Sequence, residues 1–315
     1  MGISPVSKAS SSVLSSGDCR IGFGSRTSLD ELHGVPRLSV ALPVLAGRDE
    51  ELLLPERTGP FQKQKYTLFQ NGSWLAGFAL AAAGIDLEVA AGDLYQGLFA
   101  VTAGLNLYRI WNYVPQINAM TGGLENYRRF CRGRSLAFEK HFGRDFQRRL
   151  PAGSAVGSMV GPLAVAFLAG KTEPSHFENP RQVPAFEYPL EYGPRPPSFS
   201  RATVVTTEHG RQLFVSGTAA IRGHATVAAD DLEAQLACTC ENLRLIAKTA
   251  GAGADFGAGG WRRAFKVYIR HPEDLARVRA QLERELLRPE DVVSYLQADI
   301  CRRDLLVEIE AILAQ

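Results

Sequence analysis

The sequence lacks the features that announce a large or charged partner. Its 35 Lys and Arg are nearly balanced by 33 Asp and Glu, a net charge of +2 with His neutral, so no long-range field draws it to nucleic acid or to an anionic membrane. Cysteine is sparse and unpatterned. The five residues Cys19, Cys131, Cys238, Cys240 and Cys301 are odd in number and form no CxxC pair, and Cys238-Thr-Cys240 falls inside a helical pattern. That excludes a disulfide framework, a zinc knuckle and a dithiol redox motif, and predicts reduced thiols and a cytoplasmic location. No apolar run approaches the ~20 residues of a membrane span. The longest, residues 159–169, is broken by Gly161-Pro162 and reads as a buried strand. No apolar segment follows Lys8, so no secretory signal is expected.

What is present divides into unequal parts. Residues 7–28 are rich in Ser and Gly with little periodicity, and residues 1–35 are expected to form a disordered tail. The rest carries an internal repeat. In the second half a helix over residues 231–248 places Leu232, Leu236, Leu243 and Ile246 on one stripe. A strand follows at residues 263–270, then a helix at 273–287 led by Pro272, then strands at 292–300 and 305–313 that are expected to pair as a hairpin. In the first half the same order runs through a helix at residues 91–104, a strand at 108–115, a helix at 124–142 and strands near 155–160 and 163–169. The chain is long enough for two such units, expected at residues 36–179 and 202–315 with a Pro- and aromatic-rich connector at 180–201.

Candidate functional residues follow from these patterns. The last strand alternates Leu306, Glu308 and Glu310 with Val307, Ile309 and Ala311, which sends both carboxylates to one face. Such a pair marks either a solvated face or a general acid set in a cleft. On the helix at 124–142, Tyr127, Arg134 and Phe138 recur at spacings of seven and four and share a face, whereas Arg128, Arg129 and Arg132 fall on the solvent side. Arg134 is then either a pocket cation or a snorkelling side chain at a domain edge. The connector carries Phe186, Tyr188, Tyr192 and Phe199, which suits a cover over an inter-domain crevice better than a solvated spacer. Its Arg195, and Arg201 at the start of the next strand, are further candidate cations. Gly217, with Thr218 beside it at a strand end, fits either close backbone approach to a ligand or a bulge. Cys301, seven residues before Glu308, is either inert packing or a second wall of the same pocket.

Several segments in this order resemble a known family. They are Tyr108-Arg-Ile-Trp-Asn-Tyr-Val-Pro115, Tyr127-Arg-Arg-Phe-Cys-Arg-Gly-Arg-Ser-Leu-Ala-Phe-Glu139, Pro180-Arg-Gln-Val-Pro-Ala-Phe-Glu-Tyr-Pro189, Tyr192-Gly-Pro-Arg-Pro-Pro-Ser-Phe-Ser-Arg201, Ser216-Gly-Thr-Ala219 and Tyr295-Leu-Gln-Ala-Asp-Ile-Cys301. Over residues 70–315 they resemble the chorismatase and 3-hydroxybenzoate synthase family. The second half, with Leu213-Phe-Val-Ser-Gly-Thr218 and Val307-Glu-Ile-Glu-Ala311, resembles the YjgF-type imine deaminases. The arginine with which those deaminases grip a carboxylate would fall near Val293, where this chain has none, so imine deamination is not expected.

The resemblance implies an α+β fold of two YjgF-like domains in tandem, mixed sheets each backed by two helices. It implies chorismate as substrate, pyruvate as one product, and neither metal nor organic cofactor. Chorismate carries two carboxylates, which planar arginine forks suit, so Tyr127, Arg134, Tyr192, Arg195, Arg201, Gly217 and Thr218 are the expected substrate contacts. Glu308 is expected to protonate the enolpyruvyl methylene, with Cys301 shaping the ring pocket. A cysteine at this place marks members that make 3-hydroxybenzoate, while the pair Ala219-Ala220 departs from that pattern and leaves open hydrolysis to a dihydroxycyclohexadiene carboxylate. A non-catalytic YjgF-like binder of small aromatic acids is the alternative of another class. Two fused units are expected to imitate an oligomer within one chain and leave it a monomer.

Overall fold

The structure is a computed structural model that describes residues 17–55, 58–208, 210–257 and 260–315. The first sixteen residues of the expected tail lie outside the described residues.

Two mixed sheets make the body. The first runs in the order Ala152–Ser158, Asn106–Pro115, Ala164–Gly170, Trp74–Leu80, Tyr66–Asn71, Thr58–Lys63. The second runs Ser175–Phe177, Ala202–Thr207, Gly210–Thr218, Val307–Ala314, Arg262–Ile269, Val292–Gln297, Val44–Gly47. The internal repeat is written in this topology. In each sheet a hairpin leads to a helix, and a parallel strand pair (Ala152–Ser158 on Asn106–Pro115, Val292–Gln297 on Arg262–Ile269) stands on the far side of the last strand.

Helices α1 (Leu87–Val101) and α2 (Asn126–Phe142) back the first sheet; α3 (Leu232–Thr249) and α4 (Leu275–Glu285) back the second. Each helix exists because one stripe is apolar: Ala91, Leu94, Tyr95 and Leu98 on α1, and Leu232, Leu236, Leu243 and Ile246 on α3, are all buried. Asp86 and Asp231 cap α1 and α3 by accepting from backbone N–H groups of their first turns. α1 and α2 approach so closely that a Cβ at Gly133 would overlap the carbonyl oxygen of Glu88. The helix-free faces of the sheets meet in a common core of Phe69, Phe78, Trp111, Tyr113, Phe214, Tyr268 and Leu296.

Two expectations are corrected. The supposed tail contributes structure: Cys19–Phe23 is a fully buried strand whose Cys19 and Ile21 join the inter-sheet core. It pairs with Val35–Val40 and Glu50–Leu54 in a small third sheet. A three-residue alternation of Cys19, Ile21 and Phe23 is too short to stand out beside so many serines and glycines. The closing strands are not a hairpin. Val292–Gln297 lies parallel to Arg262–Ile269, and Val307–Ala314 takes that strand's opposite edge. A strand–α4–strand unit crosses over to a parallel neighbour, which leaves the other edge for the last strand.

Candidate active site

The two sheets are stitched together where their strands approach. Thr203 Oγ1 accepts from Ala152 N at 2.7 Å, and Ser216 Oγ accepts from Gly153 N at 2.8 Å while donating to Ser200 O at 2.6 Å. Beside this seam opens a cleft of about 740 Å³, counting the solvent at its open mouth. Its floor is Gly153, Ser154, Gly217 and Glu308; Tyr127, Arg128 and Arg134 of α2 form one wall; Tyr188, Tyr192, Pro197, Phe199 and Arg201 cover it; Cys301 and Arg302 close the remaining side.

Glu308 and Glu310 share the inward face of the last strand, and their surroundings are opposite. Glu310, 2% exposed, is saturated. Arg109 Nη2 donates to its Oε2 at 2.7 Å, Ser154 Oγ to the same oxygen at 2.5 Å and Trp111 Nε1 to Oε1 at 2.9 Å, while Lys266 Nζ stands 2.6 Å from Oε1. Burial alone would raise this carboxyl, but Lys266 and Arg109 outweigh it and hold it well below the usual carboxylate range. Glu51 pairs with the other side of Lys266, so two carboxylates and two cations form a buried quartet. Glu308, 4% exposed, has no hydrogen-bonding or ion-pairing side chain among the described residues. Burial pushes it up to about 8, with Glu310 adding to the rise and Arg109 and Arg201 opposing it. Gly217 packs against it so tightly that a Cβ there would overlap Oε1 and stand 2.7 Å from Cδ.

Two buried guanidiniums face the same space with donors to spare. Arg134, 2% exposed, lies 4.7 Å from the Phe130 ring centroid, and among the described residues no acidic side chain pairs with it. Arg201, 4% exposed, donates from Nη2 to Tyr188 Oη at 2.7 Å and packs 5.1 Å from the Phe199 ring. Its acidic neighbour is Glu178, at 3.9 Å, whose carboxyl burial raises to about 7 against the pull of Arg201. Burial also pushes the Cys301 thiol up to about 12, Glu308 reinforcing it, so Cys301 stays protonated and is no nucleophile.

Of the residues singled out from the sequence, the structure brings Glu308, Cys301, Tyr127, Arg134, Tyr192, Arg201 and Gly217 to this cleft. Arg195 and Thr218 do not line it. Arg195 turns to Glu139 at 2.8 Å, because that partly exposed carboxylate is the nearer partner, and the Thr218 hydroxyl donates to Ser216 O at 2.8 Å within its own strand end. Arg128, expected on the solvent side, lines the cleft beside Glu125 at 3.6 Å. Arg302 lies 4.0 Å from the Tyr192 ring. The quartet was missed outright, although Lys266 within an apolar strand and Arg109 beside Trp111 were its visible signals. Among the described residues no group of three or more His, Cys, Asp and Glu could hold a metal ion, and no helix is long and apolar enough to cross a membrane.

A duplicated α+β fold whose cleft holds a buried protonated carboxyl, two buried guanidiniums and aromatic walls offers a small-molecule site suited to acid chemistry on an anionic ligand. Comparison with known proteins gives this class a family. Residues 53–169 match the family described as chorismatase FkbO/Hyg5-like, N-terminal. The chain is 42% identical over 217 residues to a 3-hydroxybenzoate synthase of Streptomyces hygroscopicus, a match covering 66% of this chain and 63% of that protein. It is 40% identical over 257 residues to a chorismatase of Streptomyces rapamycinicus, covering 76% of this chain and 75% of the relative. A chorismatase crystal structure superposes with a TM-score of 0.84 at 31% identity, over 97% of this chain and 96% of that one. The chain belongs to the chorismatase family.

Proposed function

We propose that this protein converts chorismate to 3-hydroxybenzoate and pyruvate, with Glu308 as the general acid. The observation that carries the reading is the Glu308 carboxyl: buried, without a hydrogen-bonding or ion-pairing side chain among the described residues, held protonated near neutrality and opening onto a cleft that the buried guanidiniums of Arg134 and Arg201 also line. The terminal methylene of the enolpyruvyl ether is electron-rich. Glu308 protonates it, giving an oxocarbenium ion. The ring C3–O bond then breaks and releases pyruvate as the neighbouring C4 hydroxyl oxygen, giving up its proton, bridges to C3; that bridge opens at C4, and loss of the C3 hydrogen as a proton leaves an aromatic ring with its hydroxyl on C3. The atoms of chorismate are fully accounted for by the two products, with no water added. Arg134 and Arg201 hold the two carboxylates, and Tyr127, Tyr192 and Phe199 enclose the ring.

The similarity to proteins named 3-hydroxybenzoate synthase and chorismatase supports the substrate. A mere binder of aromatic acids has no use for an unpaired buried carboxyl beside its anion. The product branch rests on Cys301, whose side chain lines the cleft and, with chorismate bound, would keep water from the ring. The hydrolytic alternative is favoured by one observation, that Ala219 rather than a larger residue lines the same cleft. Incubating the protein with chorismate and identifying the products by mass spectrometry and NMR decides between them. 3-Hydroxybenzoate is expected, and a dihydroxycyclohexadiene carboxylate as main product overturns the branch.

Two further results are expected. Cys301→Ala opens space of about one water, whose share of liquid volume is about 30 Å³, so a rising share of dihydrodiol should appear at little cost in pyruvate release. An unchanged product ratio would remove Cys301 from the branch point. Arg134→Ala or Arg201→Ala should weaken chorismate binding by about 1.5–3 kcal/mol, the range for hydrogen bonds to charged groups. Arg129→Ala, whose guanidinium is occupied by Asp86 and Thr121 O, is the control and should leave binding unchanged.

A further inference from the structure

The segments that bring Glu308 and Cys301 to the cleft are held in different ways. Glu308 lies on a strand paired on both edges. Cys301 and Arg302 lie on the loop between Gln297 and Val307, whose strand-like pairing is the single bridge of Asp299 with Gly157. Buried backbone without a ladder needs other donors.

Arg270 supplies them. It directly follows the strand Arg262–Ile269, its own N–H donates to Leu306 O at 3.0 Å, and its side chain is only 11% exposed. All five guanidinium donors are engaged. Nε donates to Leu305 O at 2.7 Å; Nη2 donates to Arg302 O at 2.9 Å and Ile300 O at 3.4 Å; Nη1 donates to Asn118 Oδ1 at 3.2 Å and to Asp299 Oδ1. Asn118, from the other half of the molecule, adds a bond from Nδ2 to Ile300 O at 3.0 Å. Gln235 of α3 closes the far end, donating to Asp304 O at 2.7 Å and accepting from Leu306 N at 2.9 Å. None of these three side chains lines the cleft.

We propose that Arg270 is a positioning residue: the loop at 299–305 is wound around its guanidinium, which thereby fixes where Cys301 and Arg302 stand in the cleft. The side-chain chemistry is specific. Lysine offers three donors from one point and cannot serve acceptors spread around a planar fork, so charge alone does not replace it. The catalytic consequence rests on the proposed chorismate reaction; the structural one does not.

The test therefore has two readouts, applied to Arg270→Ala, Arg270→Lys and the milder Asn118→Ala. The first is alkylation of Cys301 by iodoacetamide, followed by peptide mass spectrometry with buried Cys131 as internal reference. Freed from its form, the loop opens more often, so Cys301 labelling should rise about tenfold in Arg270→Ala while Cys131 stays constant. Arg270→Lys should not restore protection, and Asn118→Ala should move the same way by less. The second readout is steady-state turnover of chorismate. KM should rise about tenfold with a smaller change in kcat, because the ring pocket is displaced while Glu308 keeps its strand. The share of dihydrodiol should grow, and adding Cys301→Ala to Arg270→Ala should raise it no further, since both changes act through one side chain. Native labelling, KM and product ratio in folded Arg270→Ala would overturn the proposal. So would full rescue by lysine, or a parallel rise at Cys131, which is general loosening. If Arg270→Ala does not fold, Asn118→Ala decides by the same readouts. Increased labelling of Cys301 in a protein whose native form leaves chorismate untouched would uphold the positioning role and overturn the proposed function instead.

Discussion

Glu308→Gln is expected to lower pyruvate release from chorismate by about 10²–10⁴-fold, the usual contribution of a positioned general acid. The substitution keeps the shape of the side chain and removes the transferable proton. It should leave binding of a product analogue intact, because Arg134 and Arg201 are untouched. The pH profile gives an independent check. The proton of Glu308 is lost as pH rises through about 8, so kcat/KM of the native protein should be level below that value and fall tenfold per pH unit above it. In Glu308→Gln the residual rate should lack this limb. Near-native turnover by a folded Glu308→Gln protein, or a native profile still rising above pH 8, is incompatible with the assignment. The same carboxyl explains why two glutamates two residues apart serve different ends. Glu310 is satisfied by three donors and a lysine and stays ionised; its charge in turn disfavours ionisation of Glu308.

Gly217→Ala should be nearly as damaging, by about 10²-fold in kcat, the scale of loss when a reacting group is displaced by about 1 Å. The cause is steric. The added methyl would overlap Glu308 Oε1 and would also stand only 3.2 Å from Ser154 Cβ. The carboxyl is the part that must move. Thermal stability should fall little and KM should change less than kcat, since the methyl presses on Glu308 and not on Arg134 or Arg201. Single-turnover measurement of pyruvate release reads the effect directly, and native kinetics in Gly217→Ala would mean that the working carboxyl stands elsewhere.

Much of this protein was legible in its order of residues. Period and punctuation define local elements, so the helical stripe of α3, the strand at Tyr108 and the alternation of the last strand were all visible, and the repeated order of elements gave the duplicated α+β class. Residue chemistry also singled out Glu308, Arg134 and Arg201, because a carboxylate on an inward strand face and an arginine on an aromatic stripe are costly to bury without a use. Tertiary structure decided what depends on distant partners. Only the tertiary contacts showed that the last two strands are separated by Arg262–Ile269, that Cys19–Phe23 belongs to the core and that Arg195 is taken by Glu139. The division of labour between Glu308 and Glu310 was equally hidden. It is set by Lys266, whose other partner Glu51 lies 215 residues away from it, and by Arg109, which lies 201 residues from Glu310. Sequence spacing carries the geometry of a turn of helix or a step of strand; which buried charge meets which is fixed only when the sheets close on each other.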